Sequence, residues 1–132
     1  MLTTGSQTQT LGSQSNGNLQ NFLNSVELLR LAATSRLGKS YREIRGQFLT
    51  PSTVATLMAG MFEFGLSEIS LLDAGSGIGS LLAAVVAELC QRQKRPQSIH
   101  ITAYEIDLIL IEYLEQVIDL CCVECDRAGI VL

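Results

Sequence analysis

The chain has no tryptophan and only two prolines, Pro51 and Pro96, which stand far apart, so it holds no turn built on adjacent prolines. Asparagine ends at Asn24. No apolar run approaches the roughly 18 residues of a membrane span, and no basic start leads into an apolar core, so neither a transmembrane helix nor a signal peptide is expected. A cytoplasmic chain without internal repeats is therefore the expectation, with its four cysteines kept reduced. The one histidine, His100, stands alone within an apolar run and reads as a structural residue rather than a base. A formal net charge of -4 gives no general attraction for polyanions.

What is present falls into three regions. Met1 to Leu19 is rich in Ser, Thr, Gly, Gln and Asn, carries no charge and has few apolar residues, so residues 1–19 are expected to form a disordered polar tail. Residues 20–45 read as an amphipathic helix followed by a basic connector. Phe22, Val26, Leu29, Ala33 and Leu37 recur at helical spacing up to about residue 37. Residues 46–132 are 
apolar enough to build the core of an α/β domain, in which Ile130, Val131 and Leu132 read as a third strand just beginning.

The centre of that last region is Leu-Leu-Asp-Ala-Gly-Ser-Gly-Ile-Gly-Ser over residues 71–80. Ile69, Leu71 and Leu72 predict a short parallel strand covered on both faces, and Asp73 ends it. Gly75, Gly77 and Gly79 permit positive φ and place no Cβ in the path of a ligand approaching the helix predicted over residues 79–94. A dinucleotide turn needs G-x-G-x-x-G, but here the third glycine falls one residue early and Ser80 takes its place. By itself the turn is also compatible with a purely structural strand-to-helix connection.

Two further segments add to it. Ile99 to Tyr104 predict a second strand with Glu105 just beyond its end, where a carboxylate can accept both hydroxyls of a ribose; Ile106 then offers an apolar face to a base. Asp107 reads as the start of the next helix, offsetting its dipole. Before the turn, residues 46–62 predict a helix capped by Thr50, with Pro51 at its first position and Val54, Leu57, Met58, Met61 and Phe62 on one face.

The D-x-G-x-G-x-G spacing of Asp73 to Gly79 resembles the S-adenosyl-L-methionine (AdoMet) motif of class I methyltransferases. The Gly46-Gln47-Phe48-Leu49-Thr50-Pro51 run resembles the G-Q-F-x-T-P motif of adenine-specific DNA methyltransferases. In their order, Gly46 to Phe62, Leu71 to Ala84 and Ile101 to Asp107 together resemble the cofactor-binding half of an adenine-N6 DNA methyltransferase from a bacterial type II restriction-modification system. The resemblance implies a truncated Rossmann-like class I methyltransferase fold over 46–132, with a small parallel sheet flanked by helices. It further implies AdoMet as cofactor, with Phe48, Thr50 and Pro51 belonging to the run that contacts its methionine part. On the same basis Thr50 meets the methionine carboxylate, Asp73 its amino group, Gly75 and Gly77 give close backbone approach, Glu105 takes the ribose and Ile106 the adenine. DNA is the implied partner of the complete enzyme.

The family's D/N-P-P-Y/F turn, which holds the extruded base, cannot be made from Pro51 and Pro96, so no catalytic residue is assigned and the chain alone is expected to be inactive. A companion chain supplying the catalytic and recognition regions, or a non-catalytic interaction module completed by another chain, are alternatives. A methyltransferase acting on RNA, protein or a small molecule is another, since fold does not fix substrate.

Two clusters remain. Arg36, Lys39, Arg42 and Arg45 read either as a solvated connector or as phosphate contacts beside a DNA cleft. Cys121, Cys122 and Cys125 suggest a metal site by spacing, but Leu110, Leu114, Val117, Cys121 and Cys125 share one helical face over about 108–127. Core packing is therefore the expectation, and no metal ligand is assigned.

Overall fold

The computed structural model describes residues 8–132. Its elements in order are α1 (Thr8–Leu37), α2 (Lys39–Arg45), α3 (Ser52–Ala59), β1 (Glu68–Asp73), α4 (Ser80–Gln91), β2 (Ser98–Ala103) and α5 (Leu108–Ala128). β1 and β2 pair in parallel from Glu68 opposite Ser98 to Asp73 opposite Ala103. A parallel pair needs a crossover, which α4 supplies. Val131 bridges to Ser98 in parallel, donating to the Gln97 carbonyl at 3.0 Å, so a further strand begins beside β2.

The core lies on one face of this sheet. Ile69 and Ile99 are buried and Leu71 and Ile101 partly so, packed with Val86 and Leu89 of α4 and with Val117 and Cys121 of α5. Phe22, Val26, Ala33 and Leu37 bring α1 onto the same cluster at the spacing read from the sequence. Each large side chain so buried contributes about 1.5–3 kcal/mol. On the opposite face Ser70 and His100 are exposed, and Leu72 is 70% exposed. The strand expected to be covered on both faces is covered on one, and His100 lies on the bare one.

Two other expectations are corrected, for the tail and for the start of α3. Residues 1–7 of the expected disordered tail lie outside the described residues, whereas 8–19 are helical as the start of α1. Extending a helix already nucleated by a packed segment needs only modest propensity, which Gln, Asn and Ser supply. The basic connector contains the short helix α2, ended by Gly46 in the left-handed region at φ 64°. Helix α3 starts one residue later than expected, with Pro51 at the cap position and Ser52 first. It packs on α4 through Ala55 and Ala59, leaving Leu57 and Met61 exposed. Close approach of two helices selects the small residues, so the larger apolar face turns outward.

Among the described residues the outer edge of β1 is unpaired and forms one wall of a groove of about 420 Å³, whose other walls include Phe62, Phe64, Leu81 and Val85. Among the described residues no helix is long and apolar enough to cross a membrane.

Candidate functional site

The site forms where the carboxyl ends of β1 and β2 meet the glycine turn, the crevice position expected of an open parallel sheet. Residues 73–79 leave β1, and the Tyr104 N–H donates to the Asp73 carbonyl at 2.8 Å while the Ser76 N–H donates to the Tyr104 carbonyl at 3.0 Å. These bonds continue the ladder into the turn and fix it against residue 104. Ser76 Oγ also donates to the Asp73 carbonyl at 3.0 Å.

The three glycines differ. Gly77 (φ 57°) and Gly79 (φ 86°) lie in the left-handed region; Gly75 does not. A Cβ on Gly79 would stand 2.9 Å from Leu114 Cδ1 of α5, so that glycine serves packing behind the turn. A Cβ on Gly77 would stand 3.1 Å from Leu49 Cδ2. At Gly75 it would meet no protein atom within 4 Å, because the position faces the open cleft. Positive φ, which glycine permits at all three, is used at two of them; at Gly75 the space in front is what matters.

In front of the turn lie two adjoining cavities. The larger, about 620 Å³, is lined by Phe48, Gly75, Gly77, Tyr104, Glu105 and Ile106 among others. The smaller, about 110 Å³, includes Thr50, Asp73, Gly75, Gly77 and Ser80 in its lining. Of the eight residues singled out from the sequence, seven line one or both; Pro51 is exposed beside them and lines neither. Phe48 and Ile106 are 76% and 90% exposed, placing apolar surface at the rim.

Glu105 does more than stand at the strand end. Its Oε2 accepts from the Gly77 N–H at 2.8 Å, and its Oε1 accepts from the N–H groups of Ile106 and Asp107, each at 2.8 Å. The carboxylate thus fastens the glycine turn to the start of α5, a role its sequence position did not reveal. Both lone pairs of Oε1 are thereby used, and one remains on Oε2 for a further donor.

Asp107 caps α5 by accepting from the Ile109 N–H at 2.9 Å. It is 3% exposed and also accepts from Tyr41 Oη at 3.0 Å and Gln47 Nε2 at 3.1 Å, with Arg45 Nη1 at 3.7 Å. Burial opposes its charge, but the donors Gln47, Tyr41, Ile109 and Leu110 outweigh it and hold the carboxyl below its ordinary range. On the far side of the site, Glu27 of α1 accepts from the Ser52 N–H at 3.0 Å and from Ser52 Oγ at 2.8 Å, capping α3 from another helix. Arg30 donates to both Glu27 oxygens at 2.9 and 2.7 Å and, with Ser52 adding to it, holds the carboxyl down at about 2. The expected Thr50 cap is replaced by this long-range one.

The basic segment stays at the surface, with most of its charges paired. Arg36 pairs with Glu112, Lys39 with Glu43 at 3.7 Å, and Arg45 packs 4.6 Å over the Tyr41 ring beside Asp107. Cys121 and Cys125 are buried on the core face of α5, and burial pushes the Cys121 thiol up. Among the described residues no group of three His, Cys, Asp or Glu side chains is arranged to hold a metal ion.

Sequence reasoning also missed Ser80. It is 5% exposed, lines the smaller cavity and has no hydrogen-bond partner for its hydroxyl. A buried unpaired hydroxyl costs about 1–3 kcal/mol.

The chain is 43% identical to the type II methyltransferase M.PstI of Providencia stuartii over 96 residues, which is 73% of this chain and 18% of that protein. It is 38% identical to the type II methyltransferase M.BsuBI of Bacillus subtilis over 99 residues, 74% of this chain and 19% of the relative. The chain thus spans about a fifth of the length of the curated relatives it matches. No family model matches it. No solved structure matches it either.

Proposed function

We propose that the chain is the AdoMet-binding part of an adenine-N6 DNA methyltransferase of a type II restriction-modification system, with a Rossmann-like class I fold. One observation carries the reading: three segments far apart in sequence, at Phe48 to Thr50, Asp73 to Gly77, and Glu105 to Ile106, line two adjoining cavities that share Phe48, Gly75 and Gly77. The similarity to two type II methyltransferases supports the methyltransferase class, and the Gly46 to Pro51 run supports adenine as the target base.

The residues present fit the cofactor. Gly75 leaves the cleft free of a Cβ, and the smaller cavity offers an acid, Asp73, with a hydroxyl, Thr50. Asp73 and Thr50 bind the amino and carboxylate groups of the methionine part. Glu105 accepts a ribose hydroxyl on the remaining lone pair of Oε2, and Ile106 and Phe48 cover the adenine. Bound AdoMet supplies an electrophilic methyl group. The chain's own contribution is to fix that group in place, a saving in orientation that lowers the barrier for whatever nucleophile is brought to it. Without adjacent prolines the chain holds no D/N-P-P-Y/F turn, so DNA and its extruded base are met by regions it does not contain.

Calorimetry tests the cofactor assignment: AdoMet should bind the 132-residue chain and NAD should not, and the reverse order would overturn it. Incubation with labelled AdoMet and DNA should leave the DNA unlabelled; label on the adenine amino group would show that the chain needs nothing further.

A second reading has its own support in the open edge of β1 and the bare sheet face, which offer unpaired backbone groups and Leu72 to another polypeptide. In it the chain is a module completed by a companion chain. Sedimentation as a monomer, with no partner retained in pull-down, would count against it.

A further inference from the structure

Residues 46–51 join α2 to α3 without regular structure, yet they form one wall of the cleft. They behave as a strap tied at both ends. At the first, Gln47 Nε2 donates to Asp107, the cap of α5. A carboxylate can only accept, so the amide is oriented with its nitrogen toward Asp107, leaving Oε1 buried without a partner. Among the described residues, the side chain's hydrogen bond to Asp107 is therefore its only one. At the second, Ser52 is held by Glu27, itself clamped by Arg30. Between the ties Leu49 packs on Gly77, while Phe48 and Thr50 face the ligand space.

We propose that Asp107 and Glu27 are positioning residues that set the two ends of this wall independently. Asp107, through Gln47, holds the wide part lined by Phe48, Glu105 and Ile106; Glu27, through Ser52, holds the small part lined by Thr50 and Asp73. The inference rests on the cofactor reading above and adds a division of labour to it. Asp107 also reaches Glu105 through its own N–H, so it ties both walls of the wide part. Glu27 has no such second link to the wide part, and its influence ends at the amino end of α3.

Two ligands separate these roles: S-adenosylhomocysteine, which carries the amino-acid end, and 5′-methylthioadenosine, which lacks it. Glu27→Gln and Ser52→Ala should weaken S-adenosylhomocysteine about tenfold, the scale of one lost hydrogen bond, and leave 5′-methylthioadenosine within about twofold. Gln47→Leu and Asp107→Asn should weaken both ligands. Asn caps a helix as well as Asp, so α5 survives in Asp107→Asn and melting curves report whether the fold is intact. Equal losses on both ligands in Glu27→Gln, or unchanged binding in folded Gln47→Leu, would overturn the inference while leaving the cofactor reading in place. Failure of the unmodified chain to bind either ligand would overturn the cofactor reading, and this inference with it.

Discussion

The glycine turn has a back and a front, and they are built on opposite principles. Behind it, Gly79 is pressed against Leu114 and Val117 of α5, and the missing Cβ lets helix and turn close to contact. In front, Gly75 faces space that no protein atom fills. The same residue type thus serves packing on one side and binding on the other. Stability and ligand affinity are separable here at a distance of four residues.

Three experiments break or sharpen that contrast. The largest effect belongs to the back: Gly79→Ala forces a side chain into the left-handed region and against Leu114, and should cost about 2–4 kcal/mol in denaturant titration. Next is Glu27, which ties α1 to the front wall. Its carboxyl titrates at about 2 in the folded chain against an ordinary 4.5, so its stabilisation is complete above about 4.5 and is lost as pH falls through about 2. Part of the side chain stays in water, which limits the term to about 1 kcal/mol. In acid titrations followed by circular dichroism, Glu27→Gln should be less stable at neutral pH and lose that part of the pH dependence. The smallest change in stability belongs to the front: Gly75→Ala should alter unfolding by no more than about 0.5 kcal/mol, while calorimetry shows AdoMet binding at least about tenfold weaker. Equal effects of the two glycine substitutions on folding would dissolve the distinction between back and front.

Much of this was legible in the sequence where the signal is local or periodic. The face Leu110, Leu114, Val117, Cys121, Cys125 follows from helical period sustained over 21 residues, and all five are buried. Asp73, Gly75 and Gly77 line the clefts because a strand ending in an acid before glycines leaves little choice about where the turn lies. What could not be read is non-local. The Glu27–Ser52 and Gln47–Asp107 links span 25 and 60 residues and leave no mark on either partner's neighbourhood. The outward turn of Leu57 and Met61 is of the same kind, since an apolar face in sequence does not say whether a neighbouring helix will prefer the alanines beside it. Nor does a strand rich in Ile and Leu say that only one of its faces will be covered, as Leu72 shows.

The open edge of β1 bears on self-association. The strand reads Glu-Ile-Ser-Leu-Leu-Asp, with an acid at each end of its apolar stretch. Two copies aligned antiparallel along this edge in full register would set Glu68 of one against Asp73 of the other, and parallel alignment would set each acid against its own duplicate. Like charges directly opposed weaken strand pairing. The edge therefore carries a sorting rule: it resists a second copy of itself and leaves a strand with neutral or basic ends free to join.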